Sequence, residues 1–183
     1  GEEKIGERYI SRYRFAHALY QEYLYTGLSP GETRLLHRQI GNALEGLYDD
    51  HTDEIAVQLA LHFADAGVAA KAWFYYGRAG DAAARVYAST DAINHYRQAL
   101  EWARQVDMDS RDLVRLYVGL GRAYELNSEF DQAVGVYEEM AGAARERDDR
   151  NTELAALMAH AAIRAVPSSV HAPVQAQKLG DRA

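Results

Sequence analysis

The chain has 183 residues and a formal net charge of −7, with 27 acidic against 20 basic side chains, a balance that disfavours a general nucleic-acid binder. It has no cysteine, which excludes disulfides and thiolate zinc sites. It also has no apolar run of about eighteen residues, the length needed for a membrane helix. Hydrophobic residues make up 48% of the chain, enough for a core. The long stretches are rich in Ala, Leu, Glu, Arg and Gln, which favour helix, and no alternating Val/Ile runs occur, so an all-α fold is expected. The opening Gly-Glu-Glu-Lys is not a secretion signal, and a soluble cytoplasmic protein is the expectation.

Taken in order, "GERYISRYRFAH" is the one stretch that alternates like a short strand pair. "AHALYQEYLYTGL" places Leu19 and Tyr23, with Tyr20 beside them, on one helical face. In "SPGE", Ser29 is a helix cap, Pro30 suits the first turn, and Glu32 completes a capping box. That helix runs to about Tyr48, with Leu36, Ile40, Ala43, Leu44 and Leu47 on its apolar side, and "DDHTD" breaks it. Ile55 to Ala66 repeats apolar residues at Ile55, Leu59 and Phe63 and stops at Gly67. Further helices are expected from Ala69 to about Tyr87, from a cap at Ser89 or Thr90 to about Val106, and over Leu113–Leu126. Two more are expected over Asp131–Arg147, with Ser128 or Asp131 as cap, and over Glu153–Val166. "PSSVHAP" interrupts the pattern before "VQAQKLGDRA" resumes it.

Within these helices one register recurs. Tyr117-x-x-Leu120-Gly121-x-x-Tyr124 is followed by Ala133-x-x-x-Tyr137-x-x-Met140. Upstream, Tyr76-x-x-Ala79-Gly80 is followed by Ala92-x-x-x-Tyr96-x-x-Ala99, and Ala176-x-x-x-Gly180-x-x-Ala183 repeats it more weakly downstream. The small residues let two antiparallel helices approach, and the tyrosines and leucines fill the space beside them. Glycine inside a helix costs about 1 kcal/mol against alanine, so Gly121 points to a packing need.

This register resembles the tetratricopeptide pattern. The offsets are 41 and 43 residues, longer than the usual repeat, and Arg104 and Arg145 stand where that family places its closing proline. The resemblance implies a right-handed helical solenoid with long helices, about eight in all. The last unit's second helix reaches only Ala183, so the chain is expected to be truncated, with "AQKLGDRA" the front of a helix rather than a polar cap. Exposed apolar faces at that end predict self-association through the C-terminal helices, or fraying of them.

A more specific likeness lies in "YRFAHALYQEYLYTGLSPGETRLLHRQIGNALEGLY" and the "DEIAVQLALHFADAG" that follows, continuing through "KAWFYYGRAGDAAARVYASTDAINHYRQALE". Residues 9–105 resemble the region after the nucleotide-binding module in bacterial signalling ATPases of the STAND class, such as multidomain transcriptional activators and cyclase-linked regulators. Phe15-Ala16-His17 matches that family's strand-to-helix junction, with alanine where a basic residue is commoner, and the later Leu-His maps to Leu36-His37. The resemblance implies two regions: a β-containing winged-helix-like remnant with linking helices over 1–50, and tetratricopeptide-like repeats over 51–183. It further implies the regulatory arm of a larger protein, working in signal transduction and transcription regulation. The phosphate loop of the ATPase is absent, since no Gly-x-x-x-x-Gly-Lys-Ser/Thr occurs.

No enzyme is expected. Ser168, Ser169 and His171 share a loop without the features of a triad. His17, His37 and His62 are the best metal candidates, but none is paired at helical ligand spacing, and neither metal nor other cofactor is expected. Tyr75, Tyr76, Tyr96, Tyr117, Tyr124 and Tyr137 occupy packing positions rather than a stacking platform. Residues 1–48 carry Arg8, Arg12, Arg14, Arg34 and Arg38, which raises a DNA-contacting winged-helix module as the alternative, although the segment balances six basic against six acidic residues. The favoured reading is a protein-interaction or sensor scaffold that binds a protein, a peptide or other domains of the parent chain. Its groove would be lined by Phe74, Asp81 and Arg85 on one unit and by Arg115, Val118, Arg122 and Glu125 on the next.

Overall fold

The computed structural model describes residues 2–5, 8–11 and 26–165. Expectations for the other residues, including His17, the helix at Leu19–Tyr23 and the "VQAQKLGDRA" helix, lie outside them. An antiparallel hairpin, β1 (Glu2–Ile5) with β2 (Arg8–Ser11), pairs Glu2 with Ser11 and Ile5 with Arg8. Of the alternating stretch that begins at Gly6, the described residues Arg8–Ser11 form the second strand, and the first strand lies ahead of it at Glu2–Ile5.

From Pro30 onward the described residues are helical. Helix α1 (Pro30–Tyr48) begins with the expected capping box: the Glu32 amide donates to Ser29 Oγ at 3.3 Å, and the Ser29 amide donates to Glu32 Oε2 at 2.8 Å. A 3-10 segment (Asp49–Ile55) replaces the expected start of the next helix, so α2 covers Ala56–Asp65. Then come α3 (Ala69–Arg85), α4 (Ser89–Ala103), α5 (Ser110–Leu126), α6 (Phe130–Glu146) and α7 (Arg150–Ala165).

Four of the connections are built alike. Gly67, Tyr87, Ser128 and Asp148 each have positive φ, between 52° and 70°. After each, the next amide reaches back to the carbonyl five residues earlier: Val68 to Phe63 at 2.8 Å, Ala88 to Ala83 at 3.0 Å, Glu129 to Tyr124 and Asp149 to Ala144 at 2.9 Å. This closure satisfies the last carbonyls of one helix and reverses the chain at once. Two expected caps are thereby overturned. Ser128 is the left-handed residue of its turn, so Glu129 takes the cap position of α6 and Asp131 falls in the first turn. Ala88, not Ser89 or Thr90, precedes α4, and neither cap makes a side-chain hydrogen bond. The turn closure has already fixed the backbone there. Asp109, entered from a longer loop, does cap α5, accepting from the Arg111 amide at 2.7 Å.

Such short turns force neighbouring helices to run antiparallel. Each helix from α1 to α7 packs on the next, and α3 also touches α5, as α5 touches α7. The core follows the small-and-large register. Leu59, Phe63, Leu116, Tyr137 and Met140 are fully buried, with Ala60, Ala72, Ala92, Ala99 and Ala133 between them. All six tyrosines assigned to packing are buried, between 2% and 6% exposed. Glycine explains their depth. A Cβ on Gly80 would lie 2.8 Å from the Tyr96 ring, one on Gly41 would lie 2.8 Å from Phe63, and one on Gly121 would fall closer still to the Tyr137 ring. Each of these aromatic rings occupies the space that a side chain on the facing glycine would need.

Candidate functional site

The site grows from one such contact. Tyr96 of α4 rests on Gly80 of its own hairpin, and also on Gly119 of α5, where a Cβ would lie 2.6 Å from the ring. Two glycines on different helices thus pinch one tyrosine and bring α3, α4 and α5 together. The Tyr96 hydroxyl donates to Asp81 Oδ1 at 2.7 Å, and Arg115 Nη1 donates to Asp81 Oδ2 at 2.6 Å. Gly77 leaves room for that arginine, since a Cβ there would lie 3.1 Å from Arg115 Nη2. Burial first, and then the bond to Asp81, push the Tyr96 phenol above its ordinary pKa, so it stays protonated and donating.

Around this node opens a cleft of about 410 Å³, lined by Asp81, Val114, Arg115, Val118, Arg122 and Leu126, with Tyr96 among its walls. Four of the seven expected groove residues, Asp81, Arg115, Val118 and Arg122, therefore meet in one place. Arg115 is already held by Asp81 and approached by Asp112 at 3.8 Å. Arg122 is exposed and makes no ion pair among the described residues, and the same holds for Arg85 at the end of α3.

The other two residues stand apart. Glu125 accepts from the Tyr137 hydroxyl at 2.9 Å, which ties α5 to α6. Phe74 lines a separate hollow of about 460 Å³ with Glu45, Asp50, Thr52 and Arg78. Its ring meets Trp73 and Tyr75 edge-on, and the Arg78 guanidinium lies 5.6 Å from its centroid. Nearby, Glu45 accepts from Tyr75 at 2.7 Å and pairs with Lys71, while Arg78 pairs with Asp53, so α3 is bound back onto α1 and the 3-10 segment.

The packing of α1 on α2 unites two of the metal candidates that sequence spacing kept apart. His37 Nδ1 and His62 Nδ1 lie 3.1 Å apart, and His37 Nδ1 lies 3.3 Å from Asp65 Oδ2. Burial, and then the neighbouring His37, hold His62 below the ordinary histidine pKa. Among the described residues no group of three or more His, Asp or Glu side chains is arranged to hold a metal ion. No helix of the described residues is long and apolar enough to cross a membrane.

The helical register puts Tyr96 in the core and Asp81 on the expected groove face and does not link them. Gly119 was the available signal, a second helical glycine two positions before Gly121 that packing within one hairpin does not require. Against known proteins, no family model matches the chain, and neither a curated protein nor a solved structure does.

Proposed function

We propose that the chain is a tetratricopeptide-like helical array that binds a protein or peptide segment along the α3–α5 face, as the sensing arm of a larger signalling protein. The observation that carries this reading is the convergence of Asp81, Arg115, Val118 and Arg122 on one open cleft between consecutive repeat units. Two further features support an array. The 41-residue register recurs in both glycine–tyrosine contacts, and the first helices of successive units touch one another. The likeness to STAND-class regulators supports a role within a larger chain, with a right-handed solenoid after a winged-helix-like start.

The cleft offers an apolar wall at Val114, Val118 and Leu126 beside an unpaired guanidinium, which suits a segment that presents a carboxylate next to an aliphatic side chain. The test is titration of a short Asp/Glu-rich peptide against its Asn/Gln counterpart. The acidic peptide should bind the chain more tightly. Arg122→Ala should weaken it roughly fivefold or more, while Arg34→Ala, an exposed change on α1, should leave it unaltered. Equal binding of the two peptides, or equal losses in both variants, would remove the cleft as the site.

A further inference from the structure

The turn between α3 and α4 carries a costly residue. Of the turns that close through a left-handed residue, three place Gly67, Ser128 and Asp148 there, and this one places Tyr87, at φ 59°. A bulky side chain crowds its own backbone in that conformation, whereas glycine does not and short polar residues suffer less. Packing does not offset the cost. Tyr87 is 80% exposed and Val86 before it 73%, the highest values among the described large apolar residues. Strain that the fold itself does not use points to a use outside it. The turn stands at the mouth of the cleft, since Ala84 and Ser89 on either side of it line the cleft with Leu126, itself 59% exposed.

Charge sets the kind of partner. From the Asp81–Arg115 pair, α3 and α5 run side by side toward this turn, with Arg85 one helical turn beyond Asp81 and Arg122 two turns beyond Arg115. Neither guanidinium makes an ion pair among the described residues. The charge of Arg85 is felt at the Tyr96 hydroxyl and at Asp53, and that of Arg122 at the Tyr137 hydroxyl. The carboxylates beside them are engaged: Asp53 by Arg78, Asp81 by Tyr96 and Arg115, and Glu125 by Tyr137. Two positive charges therefore flank an apolar rim in a chain whose net charge is −7, and complementarity selects an acidic partner there. We propose that Tyr87 anchors the bound segment: with Val86 and Leu126 it seats a bulky apolar side chain that neighbours the acidic residue held by Arg85 and Arg122. This rests on the reading of the cleft as a site for an acidic segment and adds the apolar half of what is recognised. A tyrosine ring suits the task, because it offers a large contact area and loses few rotamers when covered.

Peptides of equal length test the two halves separately: an Asp/Glu-rich sequence with one phenylalanine, the same with serine in that place, and the Asn/Gln counterpart of each. The full chain should bind the acidic phenylalanine peptide roughly fivefold more tightly than the acidic serine peptide. Tyr87→Gly and Tyr87→Asn both tolerate the left-handed turn, and both should abolish that preference. Tyr87→Gly should also unfold at a higher denaturant concentration than the parent, so its loss of binding is not a loss of fold. Leu61→Ser, an exposed change on α2, should leave the preference intact. Equal binding of the two acidic peptides overturns the anchor, while a preference for Asp/Glu over Asn/Gln in the same titrations keeps the cleft. Absence of any preference for Asp/Glu overturns both. A phenylalanine preference that survives in both Tyr87 variants, or that Leu61→Ser also removes, overturns the anchor alone.

Discussion

The hairpins α3–α4 and α5–α6 share one packing unit and differ in what their central tyrosine holds. In both, a ring lies on a helical glycine, Tyr96 on Gly80 and Tyr137 on Gly121. Tyr137 then donates to Glu125 on its partner helix, and the contact stays inside the hairpin. Tyr96 donates to Asp81, which also accepts from Arg115 of the next unit, and Gly119 of that unit touches the same ring. The glycine–aromatic contact sets how closely two helices approach. The polar acceptor sets whether a hairpin is joined to its neighbour. The cleft lies at the one described place where both occur between units.

The largest effect should come from alkali, which attacks both hairpins. Burial, followed by the Asp81 and Glu125 carboxylates respectively, raises the pKa of Tyr96 and Tyr137. Burial, and then Glu139, pushes Tyr117 up to about 12. A phenol raised in the folded state binds its proton where the unfolded chain has released it. Stability is therefore intact below about pH 10, the ordinary tyrosine value, and falls as pH rises through the folded pKa. Phenolate absorbance should lag behind that of a model tyrosine and then rise together with loss of helix. A gradual, independent titration of these phenols would contradict their burial.

Overpacking comes next. Gly121→Leu should cost about 1–3 kcal/mol or more in denaturant unfolding, and Gly80→Leu should also destabilise but less, since its ring lies farther away. An unchanged midpoint for Gly121→Leu would refute the close approach. The polar difference between the hairpins is smaller. Tyr96→Phe should cost about 1–2 kcal/mol and Tyr137→Phe about 1 kcal/mol. A double-mutant cycle with Arg115→Ala should show coupling for Tyr96, with Tyr137 additive to within roughly 0.5 kcal/mol. Equal coupling for both would erase the distinction between the units. The smallest effects should stabilise. Tyr87→Gly relieves a left-handed tyrosine, and Gly135→Ala fills open space on α6, each gaining about 0.5–1 kcal/mol.

Helix existence and the tyrosine core were legible because the 3.6-residue period and the small-and-large register are local signals. Ser29 and Glu32 announced a cap for the same reason. The caps of α4 and α6 were misread because polar residues near a helix start usually cap it, whereas here a turn closure settled the backbone and placed Ser128 at positive φ. The seven expected groove residues follow from a helical face alone, and that face does not separate Phe74 from Asp81. They sit two turns apart on α3 and look onto different neighbours, the 3-10 segment for one and α5 for the other.

By itself, the sequence determined where helices form, which positions are small, and which aromatic rings must be buried, since each depends on residues a few positions apart. Only the tertiary structure decided which charges remain unpaired. Arg115 and Arg122 occupy the same face of α5, seven residues apart, and each has a carboxylate three residues away in sequence, Asp112 for one and Glu125 for the other. Arg115 is neutralised because Gly77 and Gly119 let α3 and α4 come close enough to place Asp81 at its guanidinium. Arg122 keeps its charge for the cleft because no such carboxylate reaches it among the described residues. Pairing across 34 residues of chain depends on helix separation, which packing sets and a linear pattern does not record.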